Sequence, residues 1–214
     1  VDDEINSAGA NAVAGFIDDY RECLSLEHRL LFDRFTLVDM ARKVVGVGSV
    51  GTLCWVLLFT AADDDPLFLQ VKEARASVLE PYAGKSVHAN HGQRVVAGQR
   101  LMQSASDVFL GWTRGTSGRD VYIRQLRDMK MSAMIEDMDT PLLRQYGRMC
   151  AHALARAHAR SGDAPRIAGY MGSGQTFDEA VCEFAVNYAD QNQKDYRAFL
   201  QAIREGRIEA TFEG

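Results

Sequence analysis

A chain of 214 residues is long enough for one large domain or two small lobes. Its content of 47% hydrophobic and 25% charged residues excludes a largely disordered protein. A net charge of -5 argues against a general nucleic-acid-binding protein, which would be basic, and no apolar stretch is long enough to cross a bilayer. The acidic N-terminus has no signal-peptide pattern, so we expect a cytoplasmic protein with neither nucleic acid nor membrane as partner.

The first segment, residues 1–34, is predicted to be helical. From about residue 8 to residue 31, apolar side chains recur at three- and four-residue spacing, as one face of a helix requires. The residues on that face are Val13, Phe16, Ile17, Tyr20 and Leu24.

The second segment, residues 35–138, is predicted to be rich in β-strands. Val44 and Val45 and the runs 53–59 and 67–71 contain many β-branched, aromatic and aliphatic residues, and a turn at 63–66 separates the last two runs. This pattern predicts a short antiparallel meander. A helix over 93–104 and two strands, 108–112 and 121–126, are expected to follow. Val95, Val96, Gln99 and Met102 are expected on the buried side of that helix.

The third segment, residues 139–214, is predicted to be helical. Thr140 is a natural N-cap, and Pro141 suits the first helical position. An apolar stripe continues to Gly162, and a second helix with a capping-box pattern is expected to start at Thr176 and end before Gly206. The fold class is therefore predicted as α+β, with an antiparallel sheet like the small lobe of a protein kinase and a mainly helical C-terminal region.

The helix after Thr140 also carries basic residues four positions apart, which form a slanted ridge. They are Arg144, Arg148, His152, Arg156 and Arg160. The ridge could bind an acidic group or could simply face solvent. The second interpretation is favoured, because charged helix faces are usually solvated and arginine is favourable near a helix C-terminus.

The sharpest local signal is a G-x-G-x-x-G motif formed by Gly46, Gly48 and Gly51, with Ser49 inside it. Glycines allow a tight turn and let backbone N–H groups approach phosphate oxygens. In a dinucleotide-binding protein this motif follows a strand and opens a helix. Here the motif is followed by Thr, Trp and Val within an apolar run, which are poor helix formers.

The other interpretation is a kinase-like nucleotide site, in which the glycines join two strands and cover the phosphates. A lysine on the following strand then contacts the phosphate oxygens. Lys72 lies on that strand, which is predicted over residues 68–74. Burial of its charge within an apolar strand is costly without a partner, and a phosphate would supply one. Alternatively, Lys72 is a solvent-facing residue of an edge strand.

Several longer segments carry more information than the glycine motif. In them the chain resembles the bacterial family called domain of unknown function 2252, from about residue 35 to the end. The segments are 41–52, 69–74, 90–96, 98–103, 124–130, 154–163 and 188–191.

The resemblance implies a fold related to kinase-like phosphotransferases. Fuller members have a Gly-Asp-x-His-x-x-Asn-Phe run and an Asp-Phe-Asp run upstream of the glycine segment, similar to the catalytic loop and metal-binding acids of aminoglycoside-kinase-like enzymes. That order would be circularly permuted relative to ordinary kinases. Neither run occurs in this sequence. The resemblance therefore implies the C-terminal half of a longer protein, whose upstream part would be a partner of this one.

The leading hypothesis is the nucleotide-binding part of an ATP-dependent phosphotransferase with an unidentified acceptor. Gly46, Gly48, Ser49 and Gly51 would contact phosphates through backbone N–H groups, and Lys72 would pair with phosphate oxygens. The cofactors would be ATP and Mg²⁺, with the metal ligands outside this chain and the catalytic residues unassigned. A non-catalytic nucleotide- or protein-binding module and an NAD(P)-binding oxidoreductase are the alternatives.

Overall fold

The computed structural model describes residues 2–44, 51–62, 65–115, 117–126 and 133–210, with side chains from residue 12 onward. The chain divides into two compact units, residues 1–161 and 162–214. The elements of the first unit are α1 (Asp2–Glu22), α2 (Leu26–Phe32), β1 (Thr36–Arg42), β2 (Cys54–Thr60), β3 (Pro66–Glu73), α3 (Glu80–Ala83), α4 (His91–Met102), β4 (Gly111–Arg114), β5 (Asp120–Gln125), a 3₁₀ turn (Ile135–Asp137) and α5 (Thr140–Ser161).

The strands form one five-stranded antiparallel sheet in the order β1-β2-β3-β5-β4. The mixed architecture with an antiparallel sheet, and the meander of its first three strands, were predicted correctly. The first strand was misplaced, because β1 begins at Thr36 and ends before Val44. Its register shifts between Leu37 and Asp39, and this bulge breaks the alternation that makes a strand recognisable in sequence. The strand predicted at 108–112 begins instead at Gly111.

One side of the sheet, here called the α1 face, carries the hydrophobic core. Leu69 of β3 is paired with Leu57 of β2, and β5 adds Ile123; all three are buried on this face. Tyr20 of α1 and Phe32 of α2 cover them, with ring centroids 5.2 Å apart in an edge-to-face arrangement. Burial of these apolar side chains is the main force that holds α1 and α2 on the sheet.

Two helices occupy the region predicted as one helix over about 8–31. α1 ends at Glu22 and α2 begins at Leu26, with Ser25 in an extended conformation as its N-cap. The helical spacing of apolar residues continues across this break, because Tyr20 and Leu24 both turn toward the core. The periodicity therefore identified the buried residues correctly but not the break between the helices.

Tyr20→Phe is expected to destabilise the first unit by about 1–2 kcal/mol. The Tyr20 hydroxyl is fully buried and donates to the carbonyl oxygen of Phe109 at 2.6 Å, so its removal leaves a buried acceptor without that partner. Urea denaturation followed by the fluorescence of the two tryptophans, both in the sheet, measures the change. Tyr82→Phe is the control, because Tyr82 is exposed. Equal stability of the two variants would contradict this assignment.

The opposite side of the sheet, here called the α4 face, is covered by α4, which packs against β4, β5 and α5. This helix begins two residues before the predicted start, and Val96 is its buried apolar residue. Met102, expected on the buried side, is 44% exposed, so the expectation for this residue was wrong.

The helix α5 begins as predicted, but its cap is a different residue. The carboxylate of Asp139, not the hydroxyl of Thr140, accepts the N–H of Leu142 at 2.9 Å. Ala157 is the buried residue of α5, whereas Leu143 and Leu154 of the predicted apolar stripe are largely exposed.

The second unit contains α6 (Ala164–Met171) and α7 (Thr176–Arg204). Asp163 caps α6 by accepting the N–H of Arg166, and Pro165 lies in the first turn of the helix, where it is favourable. α7 begins at the predicted residue, but its N-cap Gln175 makes no side-chain capping bond. None of the helices in the described ranges carries the long apolar stretch that a bilayer-spanning helix requires.

Candidate functional site

Lys72 lies on β3, in the middle of the sheet, where it pairs with Cys54 of β2 and Tyr122 of β5. It is half-buried. Because side chains alternate along a strand, Lys72 shares the α4 face with Gln70, and Glu73 lies on the α1 face. Lys72 and Glu73 therefore project from opposite faces of the sheet. Lys72 is not on an edge strand.

The glycine segment lies in the connection between β1 and β2. The N–H of Lys43 donates to the carbonyl oxygen of Cys54 at 2.9 Å and continues the ladder beyond β1. Gly46, Gly48 and Ser49 lie outside the described residues. Gly51 is described and has φ +75°, a conformation that side chains with a Cβ rarely adopt. After Gly51 the chain enters strand β2 and not a helix.

Two residues that follow Lys72 fasten the end of the glycine segment to β3. The Glu73 carboxylate accepts the backbone N–H of Leu53 at 3.0 Å and pairs with Arg75 at 2.9 Å. The guanidinium of Arg75 also donates to the carbonyl oxygen of Gly51. A third cation, Arg119, lies 3.3 Å from Glu73. These contacts, here called the Glu73 clamp, fix the chain where the glycine segment becomes β2.

The clamp favours the ionised form of Glu73. The hydrogen bond from Arg75 lowers the pKa of Glu73 below its ordinary value, and the Leu53 N–H and the charge of Arg119 act in the same direction. Burial opposes them, because only 8% of the Glu73 side chain is exposed. The carboxylate is therefore a permanently charged anchor at neutral pH.

The α4 face holds a polar pocket of about 270 Å³. Gln70 lines this pocket and is buried; its amide oxygen accepts from the Arg124 guanidinium at 3.2 Å. Gln99 of α4, Gln103 directly after α4 and Asp107 also line the pocket. Amide and guanidinium groups in this arrangement can recognise polar atoms of a ligand by hydrogen bonding.

The N-terminus of α4 is fixed to the start of β5. Asn90 caps the helix by accepting the N–H of Gln93, and its amide donates to Asp120 at 2.9 Å. The second oxygen of Asp120 accepts the N–H of His91 at 2.8 Å. Asp120 also pairs with Arg114. The residues of this network hold α4 in place on the Lys72 side of the sheet.

The basic ridge of α5 is mostly exposed, as the favoured interpretation expected. Arg160 has a structural partner, because its guanidinium donates to the carbonyl oxygens of Leu101 and Met102 at 2.9 and 2.7 Å. Those oxygens belong to the last turn of α4, where a cation is favourable. The last residue of the ridge therefore ties α5 to α4.

A Mg²⁺ ion requires several oxygen ligands arranged around one point. Across the described ranges, His, Cys, Asp and Glu residues do not form groups of three or more that could hold a metal ion. The described residues therefore do not provide a cluster of ligands for a magnesium ion.

Sequence reasoning missed the Glu73 clamp and the pocket around Gln70. A signal for the clamp was present, because a Glu-Ala-Arg run at the end of an apolar strand places two opposite charges two residues apart. The pocket has no such local signal, since its residues come from β3, α4 and β5.

Comparison with known proteins yields one family. A family model described as an uncharacterized protein conserved in bacteria, DUF2252, matches residues 4–202. The match therefore begins within α1, well ahead of residue 35, where the resemblance was expected to start. No curated protein and no solved structure matches the chain.

Proposed function

Because the chain belongs to the bacterial DUF2252 family, we propose its function from its own geometry: it is the nucleotide-binding part of an ATP-dependent phosphotransferase. The observation that supports this proposal is the order of elements. The glycine segment joins two antiparallel strands, Lys72 lies on the next strand, and α4 follows on the same face. In protein kinases a glycine-rich loop covers the phosphates and a lysine of the third strand contacts them.

The route of the chain after Gly51 disfavours the NAD(P)-binding alternative. In a dinucleotide-binding fold the glycines open a helix whose N-terminus faces the pyrophosphate. Here residues 54–60 form β2 and pair on both sides with β1 and β3. A helix dipole therefore does not support a pyrophosphate at this position.

In the proposed complex, each group has a separate task. The ammonium of Lys72 pairs with phosphate oxygens, and backbone N–H groups of Gly46, Gly48, Ser49 and Gly51 donate to them. The Glu73 clamp holds the end of the segment at a fixed distance from β3. Gln70 and Arg124 in the polar pocket offer donors and acceptors to the rest of the ligand. The substrate that accepts the phosphoryl group and the metal ligands come from outside the described residues.

The test is ATP binding measured by isothermal titration calorimetry. Lys72→Ala is expected to weaken binding by about tenfold or more, because a charge-assisted contact is lost. Lys85→Ala is the control, since Lys85 is exposed in the loop before α4 and its loss leaves the affinity unchanged. Absence of ATP binding by the unaltered chain, or equal affinities of the two variants, would remove the proposal.

The second candidate is a nucleotide-binding module without catalysis. This candidate requires only the nucleotide contacts of Lys72 and the glycine segment, and neither a metal ion nor a catalytic base. Phosphate release from ATP in the presence of Mg²⁺ separates the two candidates. Turnover that is lost in Lys72→Ala supports the transferase, and binding without turnover supports the module.

A further inference from the structure

A second cavity lies on the opposite side of the sheet from Lys72. Its volume is about 390 Å³, and it opens between α1 and the α1 face. The floor is formed by Leu57, Val71 and Val121, which are buried, and Val13 and Phe16 of α1 form the roof. Sites for small molecules are typically apolar cavities of about 300–1,000 Å³ with a few polar groups, and this cavity fits that description.

Three polar residues line the cavity, and its solvent-exposed side, at Arg119, is here called the mouth. The three residues are Glu73 from β3 and two residues of the β4–β5 turn, Ser117 and Arg119. The oxygens of Glu73 already accept from Leu53, Arg75 and Arg119. Glu73 is therefore occupied as an acceptor and cannot readily receive a further donor.

Arg119 is in a different situation, because one of its guanidinium nitrogens contacts Glu73 while half of its side chain is exposed. A guanidinium has five N–H donors in a planar fork that matches a carboxylate. Glu73 pairs with two guanidinium groups, those of Arg75 and Arg119, so the net charge around this carboxylate is positive, although of the two arginines only Arg119 lines the cavity. The available chemistry at the mouth is thus donation to an anion, and the interior favours an apolar body.

We propose that this cavity binds a small amphiphilic anion, a molecule with an aliphatic or aromatic body and one carboxylate or similar end group. The body contacts Val71, Val121 and Trp55, and the anionic end pairs with Arg119. The site is separate from the proposed nucleotide site, because the two lie on opposite faces of β3. The proposal for this cavity therefore does not depend on whether the chain binds ATP.

Decanoate is a suitable probe, used below its micelle-forming concentration. Trp55 lines the cavity, and the second tryptophan, Trp112, belongs to β4 and pairs with Tyr122. Trp112→Phe leaves Trp55 as the sole tryptophan, so that tryptophan fluorescence then reports on the cavity. Titration of this variant with decanoate is expected to give a saturable change in fluorescence. The absence of a saturable change overturns the proposal.

Two arginines that flank the β4–β5 turn, Arg114 at the end of β4 and Arg119 directly before β5, provide a matched pair. Arg119→Gln is expected to weaken decanoate binding by about tenfold or more, because the charge-assisted pair is lost. Arg114→Gln is expected to leave it unchanged, since Arg114 is as exposed as Arg119 but pairs with Asp120 and does not line the cavity. Equal losses in the two variants overturn the assignment of Arg119.

Two further measurements separate the apolar part from the charge. Val13→Phe adds volume from the roof and is expected to abolish binding, with the far-ultraviolet circular dichroism spectrum unchanged. Decanol, which has the same chain without the charge, is expected to bind more weakly than decanoate. Retained binding in Val13→Phe, or decanol binding as tight as decanoate binding, contradicts the proposed site.

Discussion

Gly92→Ala is expected to destabilise the first unit, which contains the sheet, by about 3 kcal/mol. A Cβ on Gly92, in the first turn of α4, would lie 2.0 Å from the carbonyl oxygen of Val121 and 2.7 Å from its carbonyl carbon. Both are backbone atoms of Val121, near the start of β5, so no flexible side chain can move aside. The helix must shift away from the sheet, which also strains the contacts of Asn90 and Asp120.

Gly98→Ala is the matched control on the same helix. A Cβ there meets nothing within 4 Å, so the substitution is expected to stabilise by about 1 kcal/mol through helix propensity. Urea denaturation followed by tryptophan fluorescence gives both values. If Gly92→Ala is tolerated as well as Gly98→Ala, α4 does not approach β5 as closely as described.

The role of Gly92 explains why parts of the fold were predictable and others were not. The helical spacing of Val95, Val96, Gln99 and Met102 predicts a helix, because it is a local property of the chain. The need for glycine at residue 92 comes from Val121, far along the sequence. A close approach between distant segments leaves no pattern in a single sequence, so this restriction could not be predicted.

The same distinction applies to the candidate site. Lys72 on β3 and Gly51 before β2 were placed correctly, because apolar runs define both strands. The Glu73 clamp joins β3 to Leu53 and to Arg119, and the partners could be identified only once the register was known. The strand β1 was misplaced since its residues are largely exposed and its bulge disrupts the alternation.

Glu73→Gln is expected to destabilise the protein at neutral pH by about 2 kcal/mol. The amide keeps the shape of the carboxylate but loses the charge that Arg75 and Arg119 contact, and the N–H of Leu53 loses a charged acceptor. Denaturation midpoints at pH 7 measure the effect. Glu183→Gln on α7 is the control, because Glu183 is exposed and its replacement is expected to change little.

The pH dependence gives this prediction a second readout. The pKa of Glu73 is lower in the folded protein than its ordinary value. The ionised carboxylate therefore makes its full contribution to the free energy of unfolding above the unfolded pKa of about 4.3. This contribution to stability is lost as the pH falls through the lower folded pKa. The difference in stability between the unaltered protein and Glu73→Gln should therefore shrink below about pH 4. A difference that stays constant with pH would show that the charge of Glu73 is not the stabilising feature.

The alternation along β3 has a consequence for how this chain can diverge. The side chains of Val71 and Glu73 project from the α1 face and line its cavity, whereas those of Gln70 and Lys72 project from the α4 face. Insertion or deletion of a single residue between Leu69 and Lys72 would exchange the two sets at once, moving the ammonium into the hydrophobic core and a valine out of it. Substitutions in this strand can accumulate one at a time, but changes of its length cannot.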